Sequence, residues 1–434
     1  MTAESVTRRS PRFTAGIRSA RGSSGLLAAL ARRLVLARLA GIRVGRLDVV
    51  ENGETLTFGK ADAESEPAGR VVVHDPRCWA EIAFGGSIGA GEAYMLGLWD
   101  ADDLTAALRV LLCNREALDG LETGLARVGA PLQKALHRLN RNSLAGSRRN
   151  IAAHYDLGND FFALWLDPSM MYSAAIFDRP DMSLEAASVA KLERICSKLD
   201  LQAGDRVLEI GTGWGGFALH AAREHGCAVT TITVSREQHE LAQARVQEAG
   251  LAERVRVLLA DYRDLTPATH GRFDKLVSIE MIEAVGHEYL ERFFRTCSSM
   301  LEPHGMLLLQ AITIADQRYE AARRSVDFIQ RHIFPGSCLT SVTSMSAALT
   351  RATDLRIFDL EDIGPHYATT LAHWRRRFTE RRAEIRALGY GDEFLRMWEY
   401  YFCYCEAGFL ERAIGDVQML LVKPDCRRAP LGRH

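Results

Sequence analysis

Val207-Leu208-Glu209-Ile210-Gly211-Thr212-Gly213-Trp214-Gly215-Gly216 is a short apolar strand that ends in a carboxylate and opens into a glycine-rich turn. The segment Phe217 to Arg223 behind it is apolar and small-sided, the pattern of a helix packed on a sheet. Glycines at 211, 213 and 216 let backbone approach a ligand where a Cβ would clash. The helix start offers unpaired N–H groups to an anionic group. Strand, glycine turn and helix in that order predict the first unit of a doubly wound α/β sheet, with its ligand at the carboxyl end of the strand.

Outward from this unit the alternation continues. Strands are expected at 206–210, 228–233, 254–259 and 273–279, with helices between them, and 306–313 closes the parallel series. A helical region follows to about 350, then a strand from Arg356 to Leu360, helices over 367–387 and 391–412, and a last strand from Val417 to Val422. Helices inserted between late strands stand above the carboxyl edge, where they form a lid. A dinucleotide site wants an acid about 20 residues past the glycines. Here the second strand, Ala228 to Thr233, runs into Val234-Ser235-Arg236-Glu237-Gln238 with no acid at its tip. Glu209 stands before the first glycine and Asp261 follows the third strand. That placement suits S-adenosylmethionine, whose amino acid carries an ammonium and whose adenosine offers hydroxyl and N–H donors.

The 434 residues suffice for two or three domains, and a net charge of −1 gives no argument for a nucleic-acid partner. Nine cysteines without C-x-x-C pairs predict reduced thiols, no metal site and a cytoplasmic setting. No apolar stretch reaches the ~18 residues of a membrane span. From Ser5 to Leu47 there are ten arginines and no acid, and Leu26, Leu27, Leu30, Leu34 and Leu36 resemble an amphipathic helix. Three readings stay open for it: a solvated tail, a surface attracted to anionic lipid, and a cleaved transit peptide. The reading divides the chain into a basic segment (1–44), a small α+β unit (45–113), a linker (114–150), a cofactor-binding domain (151–423) and a tail (424–434). Within the small unit, strands are expected at 47–50, 55–58 and 70–74, and the glycines of 85–91 read as turns and close packing.

Several motifs together resemble the cyclopropane-fatty-acyl-phospholipid synthases. They are Arg149-Asn150-Ile151-Ala152-Ala153-His154-Tyr155-Asp156-Leu157-Gly158-Asn159-Asp160-Phe161-Phe162, Leu166-Asp167-Pro168, and Met171-Tyr172-Ser173. Asp261-Tyr262-Arg263-Asp264-Leu265, Glu280-Met281-Ile282-Glu283-Ala284-Val285-Gly286 and Tyr367-Ala368-Thr369-Thr370-Leu371 belong to the same set. The resemblance covers roughly residues 45 to 423, and the stretch from Gly85 to Trp99 is similar to that family's small domain for approaching lipid. It implies a Rossmann-like class I methyltransferase sheet with helical lid insertions. It also implies that Tyr172, Ser173, Glu209, Gly211, Thr212, Gly213, Trp214 and Gly215 contact S-adenosylmethionine. Thr233 and Gln238 then replace the missing strand-tip acid, and Asp261 with Tyr262 flanks the adenine.

The resembled family holds a bicarbonate ion beside the transferred methyl in a shell of five residues. Glu283, Tyr367 and Cys405 match three of them; Ala174 stands where cysteine is usual and Gln310 where histidine is usual. Whether bicarbonate binds here therefore stays open. The implied reaction transfers a methyl to the double bond of an unsaturated acyl chain, leaving a carbocation that loses a proton. The altered shell leans toward a methylene-branched product, with cyclopropane formation as the alternative. A lipid-binding protein without catalysis and a small-molecule methyltransferase are the more distant readings. The implied partners are phospholipid acyl chains at the inner face of the membrane, a second copy of the chain, and a reductase if the product is methylene-branched. Trp398, Tyr400, Tyr401, Phe402, Tyr404 and Phe409 either line such a pocket or pack a helix into the core.

Overall fold

The computed structural model describes residues 25–63, 66–116 and 157–432. The motif at 149–156, most of the 114–150 linker and residues 1–24 lie outside them.

Four strands make a mixed N-terminal sheet. β1 (Gly45–Glu51) and β2 (Glu54–Lys60) form an antiparallel hairpin. Its turn is Asn52-Gly53, at φ 52° and 81°, a backbone this dipeptide favours. β3 (Ala68–Val73) runs parallel to β1, and β4 (Trp99–Ala101) completes the order β2-β1-β3-β4. Three helices pack with it: α1 (Gly25–Leu39), α2 (Arg77–Met95) and α3 (Leu104–Cys113). The glycine-dense stretch expected to turn is helical, with a single kink at Gly86 (φ 59°, ψ −138°). Close approach explains two of its glycines. A Cβ on Gly91 would lie 2.5 Å from the Phe328 ring, and one on Gly89 2.0 Å from the Glu81 carbonyl oxygen.

α1 also differs from the sequence reading. It buries Ala31, Val35 and Leu39, one face at i, i+4 and i+8, while Leu30 and Leu34 stay 54% and 40% exposed. Through Ala31, Val35 and Leu39, α1 therefore packs with the N-terminal unit.

The larger sheet contains β5 (Arg206–Ile210), β6 (Ala228–Thr233), β7 (Val255–Leu259), β8 (Phe273–Ile279), β9 (Leu301–Ile314), β10 (Arg356–Asp362) and β11 (Ile414–Val422). Their order is β7-β6-β5-β8-β9-β11-β10; the first five are parallel and β11 is antiparallel to both neighbours. β9 starts at Leu301 rather than 306, taking in Pro303 and Gly305 through a register shift opposite β8. Before and between the parallel strands come α4 (Asn159–Ala163), α5 (Leu184–Leu199), α6 (Gly216–Glu224), α7 (Arg236–Glu248), α8 (Pro267–His270) and α9 (Leu290–Met300). The late insertions are α10 (Asp316–Ala322), α11 (Phe328–His332), α12 (Val342–Ala352), α13 (Gly364–Glu380), α14 (Arg382–Ala387) and α15 (Asp392–Leu410).

One apolar cluster runs from Val35 and Trp79 through Tyr94 to Phe161, Trp165, Trp374, Trp398 and Phe402. The N-terminal helices and the late insertions thus share a core. Polar ties reinforce the joint: Thr105 Oγ1 donates to Glu406 at 3.1 Å, and Arg396 donates to the Tyr94 and Trp99 carbonyls at 2.5 and 2.9 Å. All nine cysteines are unpaired thiols. No described helix is long and apolar enough to cross a membrane.

Candidate active site

The glycine turn leaves β5 with Gly211, Gly213 and Gly215 at φ 103°, 51° and 88°, conformations that favour glycine. A Cβ on Gly213 would meet nothing within 4 Å, because it would point into open cavity. Gly215 is different: it caps α6 and sits against Ala242, 3.5 Å from where its Cβ would be, and it does not line the cavity. Gly216 serves packing rather than ligand approach. A Cβ there would lie 2.5 Å from Met171 Sδ and 3.0 Å from the Ser169 carbonyl.

Parallel pairing sets Glu209 beside Thr231. Thr231 Oγ1 donates to Glu209 at 2.5 Å and lies 2.7 Å from Thr212 Oγ1. Burial pushes the Glu209 carboxyl up to about 8, with Thr231 and Lys191 opposing. A buried carboxyl with so little compensation in a cavity wall is matched by a cationic ligand group. These residues therefore fit the ammonium of S-adenosylmethionine.

The rest of the expected cofactor set surrounds the same space. Thr233 Oγ1 donates to Gln238 Oε1 at 2.9 Å, so Gln238 presents its amide N–H groups to a ligand. Asp261 is buried and held by Arg263 from Nε at 2.9 Å and from the terminal nitrogen at 2.6 Å. Tyr262 stands edge-on to Phe293. Tyr172 O–H donates to the Tyr401 oxygen at 3.1 Å, and Ser173 Oγ accepts from Lys191 Nζ at 2.8 Å. Trp214 Nε1 donates to Asn159 at 2.7 Å while its ring packs on Phe162. Apart from Gly215, every cofactor residue read from the sequence lines this cavity.

The expected catalytic residues lie deeper, with one the sequence reading passed over. Glu280 follows β8 at φ 48°, a left-handed conformation that costs a non-glycine residue roughly 1–3 kcal/mol. Its Oε1 accepts from the Ala174 N–H at 2.9 Å and from Gln310 Nε2 at 2.7 Å; its Oε2 accepts from Tyr367 O–H at 2.7 Å. Gln310 lies behind Glu280 and does not line the cavity, so of the four residues expected to be catalytic it is the one kept from the reacting space. Register explains its place: β9 pairs Gln310 with Ile279 on β8 and with Gln418 on β11. Glu283 follows in the turn after β8. Its Oε1 accepts from the Ile312 N–H at 2.6 Å, and its Oε2 is buried without a partner. Burial and then the Glu280 charge push Glu283 up to about 8.

Asp416 on β11 accepts from Gln310 Nε2 at 3.0 Å, and burial with the two glutamates raises it well above the usual range. Lys191 is fully buried, and that burial lowers its ammonium to about 8. Nothing local in the sequence marked Lys191, which sits in an ordinary amphipathic helix. Glu280 did carry a signal, an acid at the tip of an apolar strand, but Glu283 three residues later shared it.

Glu280, Glu283, Tyr367 and Cys405 open on one cavity of about 610 Å³, within the range of small-molecule sites. Past Glu280, Glu283, Tyr367 and Cys405 it continues between Val49, Val71, Trp79, Leu108 and Leu112 of the N-terminal unit, to Val35 and Leu39 of α1. The aromatic run of α15 is divided. Tyr400, Tyr401, Tyr404 and Phe409 line the cavity, whereas Trp398 and Phe402 pack against Trp165 in the core. Tyr367 stacks on Phe409 with ring centres 4.5 Å apart. Away from the cavity, Cys196, His220 and His225 bring potential metal-ligand atoms within 4.8 Å of one another, a cluster that the cysteine spacing alone did not suggest. Glu193 bonds both of its histidines.

Residues 142–419 match the family described as mycolic acid cyclopropane synthetase. A tuberculostearic acid methyltransferase of Mycobacterium tuberculosis is 39% identical over 374 residues, spanning 84% of this chain and 86% of that protein. The cyclopropane-fatty-acyl-phospholipid synthase of Escherichia coli K12 is 38% identical over 352 residues, spanning 80% and 85%. Among solved structures, a mycolic acid cyclopropane synthase complexed with SAH and CTAB superposes with a TM-score of 0.59 at 30% identity, covering 64% of this chain and 98% of that one.

Proposed function

The chain belongs to the mycolic acid cyclopropane synthetase family, and on that premise we propose that it installs a methylene branch in the unsaturated acyl chain of a membrane phospholipid. It is an S-adenosylmethionine-dependent methyltransferase of unsaturated acyl chains. The observation that carries the proposal is the single cavity that joins the Glu209 and Gly213 wall, the buried carboxyl cluster and the apolar interior of the N-terminal unit. A ligand with a polar end and a long apolar body fits that sequence of linings. The apolar stretch gives an acyl chain somewhere to lie while its double bond faces Glu280, Glu283 and Tyr367.

When bound, S-adenosylmethionine supplies an electrophilic methyl to the alkene, a weak nucleophile that must be held in line. Glu209 and Gln238 hold the cofactor's polar groups. Apolar walls exclude water from the positive charge that develops on the acyl carbon. The faces of Tyr367, Tyr401 and Phe409, with the buried carboxylate, stabilise that charge. Proton loss with ring closure gives a cyclopropane, and proton loss after a hydride shift gives a methylene branch. Ala174 and Gln310, the two departures from the resembled shell, support the second outcome through Glu280, to which both donate an N–H.

The arginines and exposed leucines of α1 support approach to an anionic leaflet on the cytoplasmic side. A methylene product would then need a separate reductase to become a methyl branch. The intact glycine turn and carboxyl cluster speak against a lipid carrier without catalysis, and the apolar reach of the cavity speaks against a small-molecule substrate. Expression in cells that lack such an activity, followed by mass spectrometry and proton NMR of the released fatty acids, tests the reading. Acids heavier by one CH₂ with vinylidene protons are expected. Cyclopropane ring protons would replace the product, and an unchanged fatty-acid profile with folded, abundant protein would overturn the reading.

A further inference from the structure

We infer that Glu280 is a built-in base: its carboxylate fills the place that the family resemblance gives to a bicarbonate ion, so proton removal needs no dissolved anion. The inference rests on the methyl-transfer reading above and adds the identity of the proton acceptor.

Three groups that would hold an ion there, the N–H at position 174, the side chain at 310 and the Tyr367 phenol, all donate to the two oxygens of Glu280 at 2.7–2.9 Å. A bicarbonate beside it would meet a like charge and compete for the same three donors. The two departures from the resembled shell become intelligible together. Ala174 keeps the backbone donor and leaves the volume that a longer side chain would occupy. Gln310 provides two N–H groups, one to Glu280 and one to Asp416, while its carbonyl accepts from Gln418 Nε2 at 3.2 Å. A histidine has no carbonyl to anchor and could not donate to both carboxyl groups from one nitrogen. Gln310 and Gln418 are therefore positioning residues. The left-handed backbone at Glu280 is held in spite of its cost, as at sites where function over-determines conformation.

Of the carboxyl groups in this cluster, Glu280 has the most donors on its oxygens and also lines the cavity. Burial lifts Glu280 as well, but its three hydrogen bonds and the Lys191 charge oppose that. The three donors on its oxygens favour the charged form of Glu280, while Glu283 and Asp416 are pushed up by burial and by the Glu280 charge. In the step, a hydride shift first moves the positive charge onto the carbon that bears the new methyl; a C–H bond of that methyl then breaks, its electron pair becomes the π bond between the two carbons, and the proton passes to the Glu280 carboxylate. The proton returns to solvent between turnovers.

The test uses purified full-length protein, S-adenosylmethionine and vesicles of unsaturated phospholipid in buffer purged of carbon dioxide, with and without added bicarbonate. Wild-type turnover should be the same in both. Glu280→Gln keeps shape but accepts no proton, and should lose turnover roughly 100- to 10,000-fold while calorimetry reads unchanged S-adenosylmethionine affinity. Glu280→Gly vacates the space at a backbone angle glycine prefers, and should regain activity when bicarbonate is added. Wild-type turnover that collapses in purged buffer and returns with bicarbonate would overturn the inference, as would near-normal turnover of Glu280→Gln. Both results leave the methyl-transfer reading intact. A wild-type protein that methylates no unsaturated phospholipid would overturn that reading and this inference with it.

Discussion

Gly213 combines a left-handed backbone with a Cβ direction that points into the cavity. Gly213→Val therefore strains the turn by roughly 1–3 kcal/mol and fills the ligand's space, so calorimetry should read no S-adenosylmethionine binding. The wild type should bind S-adenosylmethionine and give no signal with NAD, since no acid stands at the tip of β6. Glu283 makes a stability prediction with a definite sign. Its folded carboxyl is raised to about 8, so its contribution to stability is present below the ordinary carboxylate range and lost as pH rises toward 8. Glu283→Gln removes that loss. Its unfolding temperature should exceed the wild type's at pH 8, by about 1 °C for each kcal/mol recovered in a chain of this length, and the two should converge near pH 5. The amide also mimics the neutral acid, so Glu283→Gln should lose less turnover than Glu280→Gln. The reverse order would assign the base to Glu283.

At the scale of elements, α1 has two distinct faces. Val35 and Leu39 close the far end of the cavity, whereas Leu30, Arg33, Leu34 and Arg38 face outward. Removing residues 1–40 would strip Ala31, Val35 and Leu39 from the core and confuse unfolding with lost membrane contact. Leu30→Ser with Arg33→Glu and Arg38→Glu leaves the inner face whole. Each arginine near an anionic leaflet contributes about 1 kcal/mol, so sedimentation with anionic vesicles should show markedly weaker binding by the triple variant. Wild-type binding should fall with salt as the screening length shrinks to about 3 Å near 1 M. Equal binding by the two proteins would remove α1 from the membrane contact.

The molecule as a whole functions through a cavity that crosses from the seven-stranded sheet into the N-terminal unit. Val71 on β3 lines its far part and is only partly buried, so Val71→Phe adds volume where an acyl chain would lie. Overpacking costs about 1–3 kcal/mol, which a chain of this size tolerates. Mass spectrometry of products from mixed phospholipids should show a shift toward shorter acyl chains, with S-adenosylmethionine affinity unchanged. An unaltered chain-length profile would place the acyl chain elsewhere.

The order of strands and helices, the glycine turn, Glu209 and the absence of a tip acid on β6 were legible in the sequence because each is a local pattern: an apolar run, a turn residue, a period. Tertiary structure decided what depends on neighbours. The glycines of 85–91 read as turns and close packing; the stretch is helical instead of turning, and only the fold shows what two of them pack against, one of the contacts being the ring of Phe328 far along the chain. In α15 aromatic residues fall on several sides, and only the packing of Trp165 on one side and the cavity on the other separates Trp398 from Tyr401. Glu280 and Glu283 look alike in the chain, each an acid near the tip of an apolar strand. Strand register places Gln310 behind the first, and the fold brings in the Ala174 N–H and Tyr367 from distant segments. A carboxylate's charge is set by the donors that reach it, and here those donors come from segments that only folding brings together.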